Sequence, residues 1–294
     1  MGNNSAGSIK KAVLFVNLHK KNAPDAAVRI KGELEKRGIE AAVFSFGGKP
    51  QKPPEGNWDI AFSLGGDGTV LYTARCLAPL GVPILPVNLG TLGFVAEVDI
   101  ENWLDVFLRY ENGEITPSRR CMLEVSVERD SKAVMTNFCL NDTVISATGI
   151  AKLIKLDVNL ESDSGGNETE LGSYRSDGLI IATPTGSTAY SMAAGGPILD
   201  PEMEAVILNP ICPFALSNRP FVLPSRRGIV ITVAREQRSG VLLTVDGQDT
   251  FNLECADKVY IREASRKTLL IFADRRAYYS ALRTKLFWSG DSHA

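Results

Sequence analysis

The sequence predicts a Rossmann-like, three-layer α/β N-terminal domain, an all-β C-terminal domain, and a final helix that returns to the N-terminal domain. In the first third, continuous apolar runs such as Ala12 to Val16 alternate with helical patterns, which is typical of parallel strands buried on both faces. After Ser118, apolar and polar residues alternate strictly, which favours antiparallel strands with one solvated face. We therefore expect an α/β domain at 1–117, joined by 273–294, and a β-rich domain at 118–272.

The elements of the first domain follow from apolar runs, helical stripes, and the positions of glycine and proline. The first strand leads into a helix that can begin near Pro24, carries Ile30 and Leu34 on its apolar stripe, and ends at Gly38. The same criteria predict the elements that follow in chain order. These are strands at 41–46 and 58–64, a helix at 70–77, a strand at 83–87, and a helix at 100–110.

The elements of the second domain are mainly strands. Alternation marks Leu123 to Val127 and several later segments, with one helix expected after Thr185. The polar span Glu161 to Gly172 has almost no apolar residue and predicts a hairpin loop. Helical spacing returns between Arg275 and Trp288, so the chain is expected to close with a helix.

Charge and cysteine content exclude several classes of protein. The 294 residues carry 32 basic and 34 acidic side chains, a balance that gives no electrostatic reason to bind nucleic acid or an anionic membrane. The five cysteines are odd in number, far apart and never in a CxxC pair, which argues against a disulfide framework and a zinc site. No apolar run is long enough to span a membrane and the first residues lack a signal-peptide pattern, so we expect a cytoplasmic protein.

The segment Gly65-Gly66-Asp67-Gly68-Thr69 lies between a predicted strand and a predicted helix. Glycines let the chain approach a phosphate, and the N-terminus of a helix favours an anion. The segment is not a Walker A motif, because no GK[ST] follows, and it is not a dinucleotide fingerprint, because Leu71 replaces the third glycine. It predicts the phosphate-handling centre of a phosphotransferase.

Asp67 is the predicted catalytic residue of this centre. A carboxylate beside a phosphate repels it unless a metal intervenes or a proton is to be taken, so its presence points to chemistry. The structural alternative is that Asp67 only caps the following helix. The number of small residues around it exceeds what a cap requires, which favours the catalytic interpretation.

Four further segments combine polar side chains with turns. A second glycine loop spans Asn88 to Phe94, and Asn141-Asp142 offers donors and acceptors that could grip a ribose diol. Tyr174 to Gly178 contains an Arg and an Asp that could form a buried ion pair, and Asp246-Gly247-Gln248 has the pattern of a hairpin turn. For each of these segments, a purely structural turn or ion pair is a strong alternative.

The segment Thr183 to Ser191 contains five Ser and Thr hydroxyls and one Tyr at a predicted helix start. Such a surface could donate to phosphate or ribose oxygens, and capping would account for only one of the hydroxyls. Only two histidines are present, His19 and His293, so a Ser-His-Asp hydrolase is disfavoured.

Taken in this order along the chain, these motifs resemble the bacterial NAD kinases, and the resemblance covers about residues 10 to 290. The GGDGT loop is shared with diacylglycerol and sphingosine kinases, whereas Thr-Pro-Thr-Gly-Ser-Thr-Ala-Tyr is much more specific to NAD kinases. The resemblance implies transfer of the γ-phosphoryl of ATP, with polyphosphate left open as a donor, to the adenosine ribose 2′-hydroxyl of NAD. It also implies a divalent cation, Mg²⁺ or Mn²⁺, a homodimer or homotetramer, and NAD bound between the two domains.

The resemblance also implies roles for individual residues. Asp67 would be the general base, Gly68 would line the same loop, and Phe94 would stack near the adenine. Asn141 and Asp142 would hold ribose hydroxyls, although many relatives carry Glu where this chain has the shorter Asp142. No residue is assigned as a metal ligand. The other residues implied to line the dinucleotide site are Lys152, Arg175, Asp177, Thr188, Ala189, Tyr190, Ser191, Ala193 and Gln248. For Asp177 and Gln248 the resemblance leaves open whether they serve the same subunit or a neighbouring one.

Two other functions remain open from the residues. A lipid kinase built on the same loop should carry a membrane-facing apolar or polybasic surface, and the sequence shows neither. A non-catalytic nucleotide sensor would need the glycine loops but not a carboxylate at the point of transfer. The presence of Asp67 therefore favours an enzyme.

Overall fold

The computed structural model describes residues 9–47, 54–90, 93–149, 152–162, 168–215, 217–274 and 276–286. Thr91 and Leu92 of the second glycine loop, residues 163–167 of the predicted hairpin loop, and His293 lie outside this range. The chain forms two compact units, one from residues 1–119 and 268–294 and the other from residues 120–267. Within the described residues, no helix combines the length and apolar composition needed to cross a membrane.

The first unit has an α/β architecture, as predicted. Three helices are interspersed among its strands before the second unit begins, and one strand and one helix follow that unit. In chain order they are β1 (Lys11–Asn17), α1 (Ala23–Lys36), β2 (Glu40–Phe46), β3 (Ile60–Gly65), α2 (Asp67–Leu77), β4 (Ile84–Asn88), β5 (Val98–Asp99), α3 (Trp103–Glu111) and β6 (Ser118–Arg120), and after the second unit β19 (Thr268–Leu270) and α5 (Arg276–Leu286).

The sheet of the first unit has the order β2-β1-β3-β4-β19-β6, with β5 also paired to β4. The pairs that join β1 to β2 and β3, and β4 to β3, β5 and β19, are parallel. Leu14 packs in one core with α1 and α3, whereas the next residue, Phe15, contacts Tyr72 of α2. Because successive side chains of a strand point to opposite faces, the sheet is covered on both sides. This arrangement confirms the predicted three-layer domain.

The second unit is all-β and antiparallel, as predicted. Its strands are β7 (Leu123–Arg129), β8 (Lys132–Cys139), β9 (Asp142–Ala147), β10 (Ile154–Leu160), β11 (Thr169–Ser176), β12 (Gly178–Ala182), β13 (Ala205–Ile211), β14 (Phe221–Pro224), β15 (Ile229–Val233), β16 (Val241–Val245), β17 (Asp249–Leu253) and β18 (Lys258–Glu263). They form two six-stranded sheets with the orders β11-β10-β15-β18-β7-β8 and β14-β13-β12-β9-β16-β17. The alternate apolar residues of both sheets share one buried core.

Local predictions for two segments of the second unit differ from the structure. The polar span that was expected to be a loop as far as Gly172 is already part of β11 from Thr169, where it pairs with β10 despite its polarity. The helix expected after Thr185 is a 3-10 turn, Thr185–Thr188, followed by a single helical turn, α4 (Tyr190–Ala193). Beneath α4, a small apolar cluster that includes Ile180 and Ile207 lies apart from the main core of the unit.

Candidate active site

The loop between β3 and α2 forms one wall of a pocket of about 390 Å³ in the first unit. Helix α2 begins at Asp67, and Gly66 provides the extended residue before it. The wall is mainly backbone of glycines, amide side chains and two lysines, a composition suited to an anionic ligand. The lining residues are Asn17, Lys20, Gly66, Asp67, Gly68, Thr69, Asn88, Gly90, Gly93 and Lys285.

The Asp67 carboxylate is fixed by three consecutive backbone N–H groups, one from the last residue of the second glycine loop and two from the residues that follow it. Phe94 N donates to Oδ2 at 2.9 Å, while Val95 N and Ala96 N donate to Oδ1 at 3.2 and 2.8 Å. An ionised carboxylate offers about four acceptor positions, so about one remains for a further donor. The two glycine loops, expected to meet at the ends of neighbouring strands, are joined through this one side chain.

Close packing around this carboxylate explains two of the glycines. A Cβ at Gly93 would overlap the Asp67 carboxylate, and a Cβ at Gly65 would overlap the Thr69 side chain. Thr69 is itself held in place, because Asn17 Nδ2 donates to its Oγ1 at 3.0 Å. The absence of side chains at positions 65 and 93 therefore allows the loop to close around Asp67 and Thr69.

Phe94 is half-buried beside two residues of α5. Its ring centroid lies 6.5 Å from that of Tyr278 and 4.5 Å from Lys285 Nζ. The ring thus packs against the end of the chain, and the stacking of adenine on Phe94 stays a prediction.

The second unit contains a separate pocket of about 450 Å³ on the face of its second sheet that carries α4. Val144 of β9 and Thr244 of β16, which are paired across the two strands, lie at its base. Four of the predicted site residues lie together here. The pocket is lined by Asn141, Asp142, Val144, Ser146, Ala189, Tyr190, Thr244, Asp246 and Gly247.

Asp246 is a site residue that the sequence reasoning missed. Its carboxylate accepts from the backbone N–H groups of Leu140, Asn141 and Asp142 at 3.1, 2.8 and 3.2 Å. The Asp-Gly pattern does form a turn, with φ of +50° at Asp246 and +64° at Gly247. The turn interpretation was therefore right but incomplete, because the carboxylate also orders a segment far away in sequence.

Asp142 is buried in the wall of the same pocket. Burial raises the pKa of its carboxyl to about 7, and the negative charge of Asp246 adds to the rise. Next to it, Asn141 Oδ1 is buried and has no hydrogen-bond partner among the described residues. A buried acceptor without a partner is costly, so a ligand hydroxyl at this position would be stabilising.

Most hydroxyls of the Thr183 to Ser191 segment are used inside the protein. Thr183, Ser187 and Thr188 donate to the carbonyl oxygens of residues 140, 184 and 185, and Ser191 Oγ is 3.2 Å from Asn209 Nδ2. Capping was expected to account for only one of these hydroxyls, but hydrogen bonds to backbone carbonyl oxygens account for three. Among the described residues of this segment, only Thr185 has a buried hydroxyl without a hydrogen-bond partner, so its Oγ1 is the hydroxyl that a bound ligand would satisfy.

Thr188 and Ser191 lie outside the walls of these two pockets, and so do the five remaining predicted site residues. Lys152, Ala193 and Gln248 are exposed, and Asp177 stands in the short link between β11 and β12. Arg175 is exposed on β11, where its guanidinium carbon lies 5.0 Å from the Phe214 ring centroid. Arg175 is thus not the buried ion-pair partner that the sequence suggested, and the binding roles of these five residues stay predictions.

The described residues offer no group of three or more His, Cys, Asp and Glu side chains that could hold a metal ion. In the first pocket, the oxygens of Asn17, Asp67 and Asn88 already accept backbone N–H groups. Mg²⁺ in phosphotransferases is often held by substrate phosphates and waters with few protein ligands. The residues present fit a cation that arrives with a phosphate substrate rather than a cation held by the protein alone.

Comparison with known proteins gives matches to both halves of the chain. Residues 48–115 match the model of the ATP-NAD kinase N-terminal domain, and residues 140–273 match that of the ATP-NAD kinase C-terminal domain. An NAD kinase from Treponema denticola is 40% identical over 285 residues, which cover 97% of this chain and 98% of the relative. One from Geobacter sulfurreducens is 38% identical over 288 residues, covering 95% of this chain and 99% of the relative.

Solved structures agree in fold. A yeast NADH kinase complexed with NADH superposes with a TM-score of 0.83 at 24% identity, covering 96% of this chain and 89% of that chain. An NAD kinase from Archaeoglobus fulgidus in complex with ATP superposes with a TM-score of 0.71 at 24% identity, covering 96% and 100%. Since two family models and near full-length relatives at up to 40% identity agree, this chain belongs to the NAD kinase family.

Proposed function

We propose that this protein transfers the γ-phosphoryl group of ATP to the 2′-hydroxyl of the adenosine ribose of NAD and so makes NADP. The observation that carries the proposal is the Asp67 carboxylate, fixed by three N–H groups in a pocket otherwise lined by glycines, amides and lysines. A site built for phosphate has no need of a carboxylate unless the carboxylate handles a proton or a cation. Membership of the NAD kinase family supports the same activity.

Asp67 is proposed as the general base. A ribose hydroxyl is far less acidic than a carboxylic acid, so Asp67 cannot form an alkoxide in advance and accepts the proton late, as the loose transition state develops. The three N–H groups keep the carboxylate aimed while its remaining acceptor position receives the hydroxyl. Most of the rate must then come from positioning and from neutralisation of charge on the transferring group.

Asn141 and Asp142 are proposed to bind ribose hydroxyls in the second pocket. Asn141 Oδ1 is a buried acceptor in need of a donor, and the Asp142 carboxylate lies beside it in the pocket wall. Thr185 Oγ1 is a further candidate for a polar contact with the dinucleotide. Phe94 near the adenine and seven predicted residues outside the pocket walls complete the proposed dinucleotide site; these seven are Lys152, Arg175, Asp177, Thr188, Ser191, Ala193 and Gln248.

The cation, the assembly and the location are also proposals. A divalent cation would enter with the phosphates of ATP and neutralise their charge. A homodimer or homotetramer is supported by exposed apolar side chains of the second unit, Phe214, Phe221 and Val222, with the last two on the edge strand β14. A cytoplasmic location is supported by free cysteines, two of which, Cys212 and Cys255, are exposed.

One assay tests the proposed activity against the alternatives. Purified protein is incubated with ATP and Mg²⁺, with NAD as acceptor in one arm and diacylglycerol in the other, and NADP and phosphatidate are measured. NADP formation is the expected result. Phosphatidate formation alone would indicate a lipid kinase, and nucleotide binding without either product would indicate a sensor, so both outcomes would contradict the proposal.

A further inference from the structure

The glycine loop contains no cation of its own, although phosphoryl transfer requires positive charge. In Walker A proteins the loop lysine reaches the phosphates, and here the residues after Gly68 are Thr69 and Val70. The charge on the transferring group must therefore be neutralised by residues from elsewhere, by a cation, or by both. The pocket lining identifies which residues these are.

Lys20 enters the pocket from the segment between β1 and α1. It is half-buried, and a Cβ at Gly90 would stand 3.3 Å from its Nζ, so the ammonium lies against the backbone of the second glycine loop. No carboxylate among the described residues lies within ion-pairing distance of Lys20. A half-buried ammonium beside Gly90, which has no side chain, leaves room for an anion next to it.

Lys285 reaches the same pocket from α5, at the opposite end of the chain. Its Nζ lies 4.5 Å from the centroid of the Phe94 ring, and Phe94 N is one of the donors to Asp67. Within the described part of the chain it likewise has no carboxylate partner. The cation–π contact places the ammonium without neutralising it, so the charge stays available to a ligand.

We propose that Lys20 and Lys285 bind the triphosphate of the donor and neutralise the charge of the transferring phosphoryl group. The charged side chains that line the pocket are these two lysines and Asp67, which gives a net charge of +1. Asp67 is proposed to contact the ribose hydroxyl that accepts the phosphoryl group. The attacking ribose oxygen and the leaving oxygen of ATP must lie on opposite sides of the transferred phosphorus. We therefore assign Lys20 and Lys285 to the phosphates of the donor nucleotide. The inference rests on the proposed kinase activity and deepens it.

The first test is binding, which needs no turnover. Inorganic tripolyphosphate is titrated by calorimetry into the parent protein and into Lys20→Met, Lys285→Met and the double variant. We expect each single variant to bind about ten- to a hundredfold more weakly, the range for a lost hydrogen bond to a charged group. The control is Lys132→Met, which removes an exposed lysine of the second unit that does not line this pocket. Tripolyphosphate affinity equal to that of the parent in the double variant would overturn the proposal.

The second test separates donor from acceptor. In the NADP assay, Lys20→Met and Lys285→Met should raise the KM for ATP or lower kcat while the KM for NAD stays at the parent value. Lys20→Arg and Lys285→Arg should recover part of the loss, because they keep the charge, and thermal unfolding should show that all variants are folded. A raised KM for NAD with an unchanged KM for ATP would mean that the lysines hold the acceptor instead. If the parent forms no NADP yet tripolyphosphate binding still depends on the lysines, the proposed kinase activity fails and the anion site stands.

Discussion

Asp246 and Asp142 lie side by side in the second pocket, with Asp246 Oδ1 accepting from Asp142 N at 3.2 Å. One carboxylate thus orders the backbone of the other. Its charge also acts on the other side chain, because it adds to the effect of burial in raising the pKa of Asp142 to about 7. Asp246 therefore influences both the position and the ionisation of a residue proposed to bind ribose.

NAD binding should depend on the ionisation of Asp142. An ionised carboxylate accepts a stronger hydrogen bond from a ribose hydroxyl than a neutral one, so affinity should rise as the pH increases through about 7. We expect a rise of about fivefold to tenfold, corresponding to about 1 kcal/mol. Calorimetric titration of NAD at several pH values around 7 measures this change in affinity, and it is not affected by the pH dependence of turnover.

Variants at the two aspartates identify the titrating group. Asp142→Asn should bind NAD more weakly at high pH and show a flat profile. Asp246→Asn should move the transition to lower pH, because the charge that raises the Asp142 pKa is removed. A profile in Asp142→Asn that matches the parent would assign the titration to another group.

Asp142 should also make the stability of the protein depend on pH. Its pKa is about 7 in the folded protein and 3.8 in an ordinary environment, so between these values the folded state binds more protons than the unfolded state. The contribution of Asp142 to the free energy of unfolding therefore falls as the pH rises through this window. Relative to the parent, Asp142→Asn should become progressively more stable from about pH 4 to about pH 7, as measured by urea unfolding at several pH values. A stability difference that does not change with pH would contradict the assignment.

Asp67→Asn should lower kcat by about two to four decades while NAD still binds. Asn keeps one acceptor oxygen, but its amide N–H groups would face backbone N–H groups that now donate hydrogen bonds to the Asp67 carboxylate. Part of the loss of kcat would therefore come from a changed side-chain position. Measured turnover close to that of the parent would eliminate Asp67 as the base.

Gly93→Ala isolates the positioning contribution. It leaves the carboxylate in the chain but forces it to move, since the new Cβ would overlap its oxygens. We expect a smaller loss of kcat than in Asp67→Asn, as judged from steady-state rates of NADP formation. If both variants lost the same activity, positioning alone would explain the effect of Asp67.

Gly186→Ala should damage the second pocket. A Cβ at position 186 would overlap the backbone carbonyl of Asn141, and backbone cannot move aside as a flexible side chain can. We expect a loss of about 1–3 kcal/mol in the free energy of unfolding, with weaker NAD binding. Gly32→Ala is the matched control, because position 32 lies in α1 with open space around it and should gain about 0.5–1 kcal/mol. Equal effects of the two substitutions on the free energy of unfolding would show that the overlap with Asn141 does not destabilise the protein.

The features that could be predicted from sequence are those with a local pattern. Apolar runs and alternation predicted both architectures and about half of the strands, because the pattern of apolar residues within a strand reflects which of its faces are buried. The presence of Asp67 in a pocket beside the glycines could be predicted, because an acidic residue among glycines is unusual on its own, and its catalytic role stays a prediction. The start of α2 was placed too late, at Val70 instead of Asp67, because Asp67, Gly68 and Thr69 add nothing to an apolar stripe.

The features that could not be predicted depend on contacts between distant residues. Asp246 has the local pattern of a turn residue, and only the fold brings it to Leu140, Asn141 and Asp142. In the sequence, Lys285 has the pattern of an exposed helical lysine. Only the fold places it in the same pocket as the glycine loop. The hydroxyls of the Thr183 to Ser191 segment were likewise overestimated as ligand groups, because sequence does not show which carbonyl oxygens will already accept them.

The discontinuity of the first unit constrains the order of events during protein synthesis. Strand β19 stands between β4 and β6 in the sheet, yet everything from Arg120 to Lys267 is translated before it. Domains generally fold as units while the ribosome is still working, earliest segments first. Here the earliest segments must wait with an incomplete sheet until the second unit has emerged, and the pocket around Asp67 receives Lys285 last. A chain that ends at Lys267 should therefore fold its second unit while its first unit lacks β19 and the pocket around Asp67 lacks Lys285.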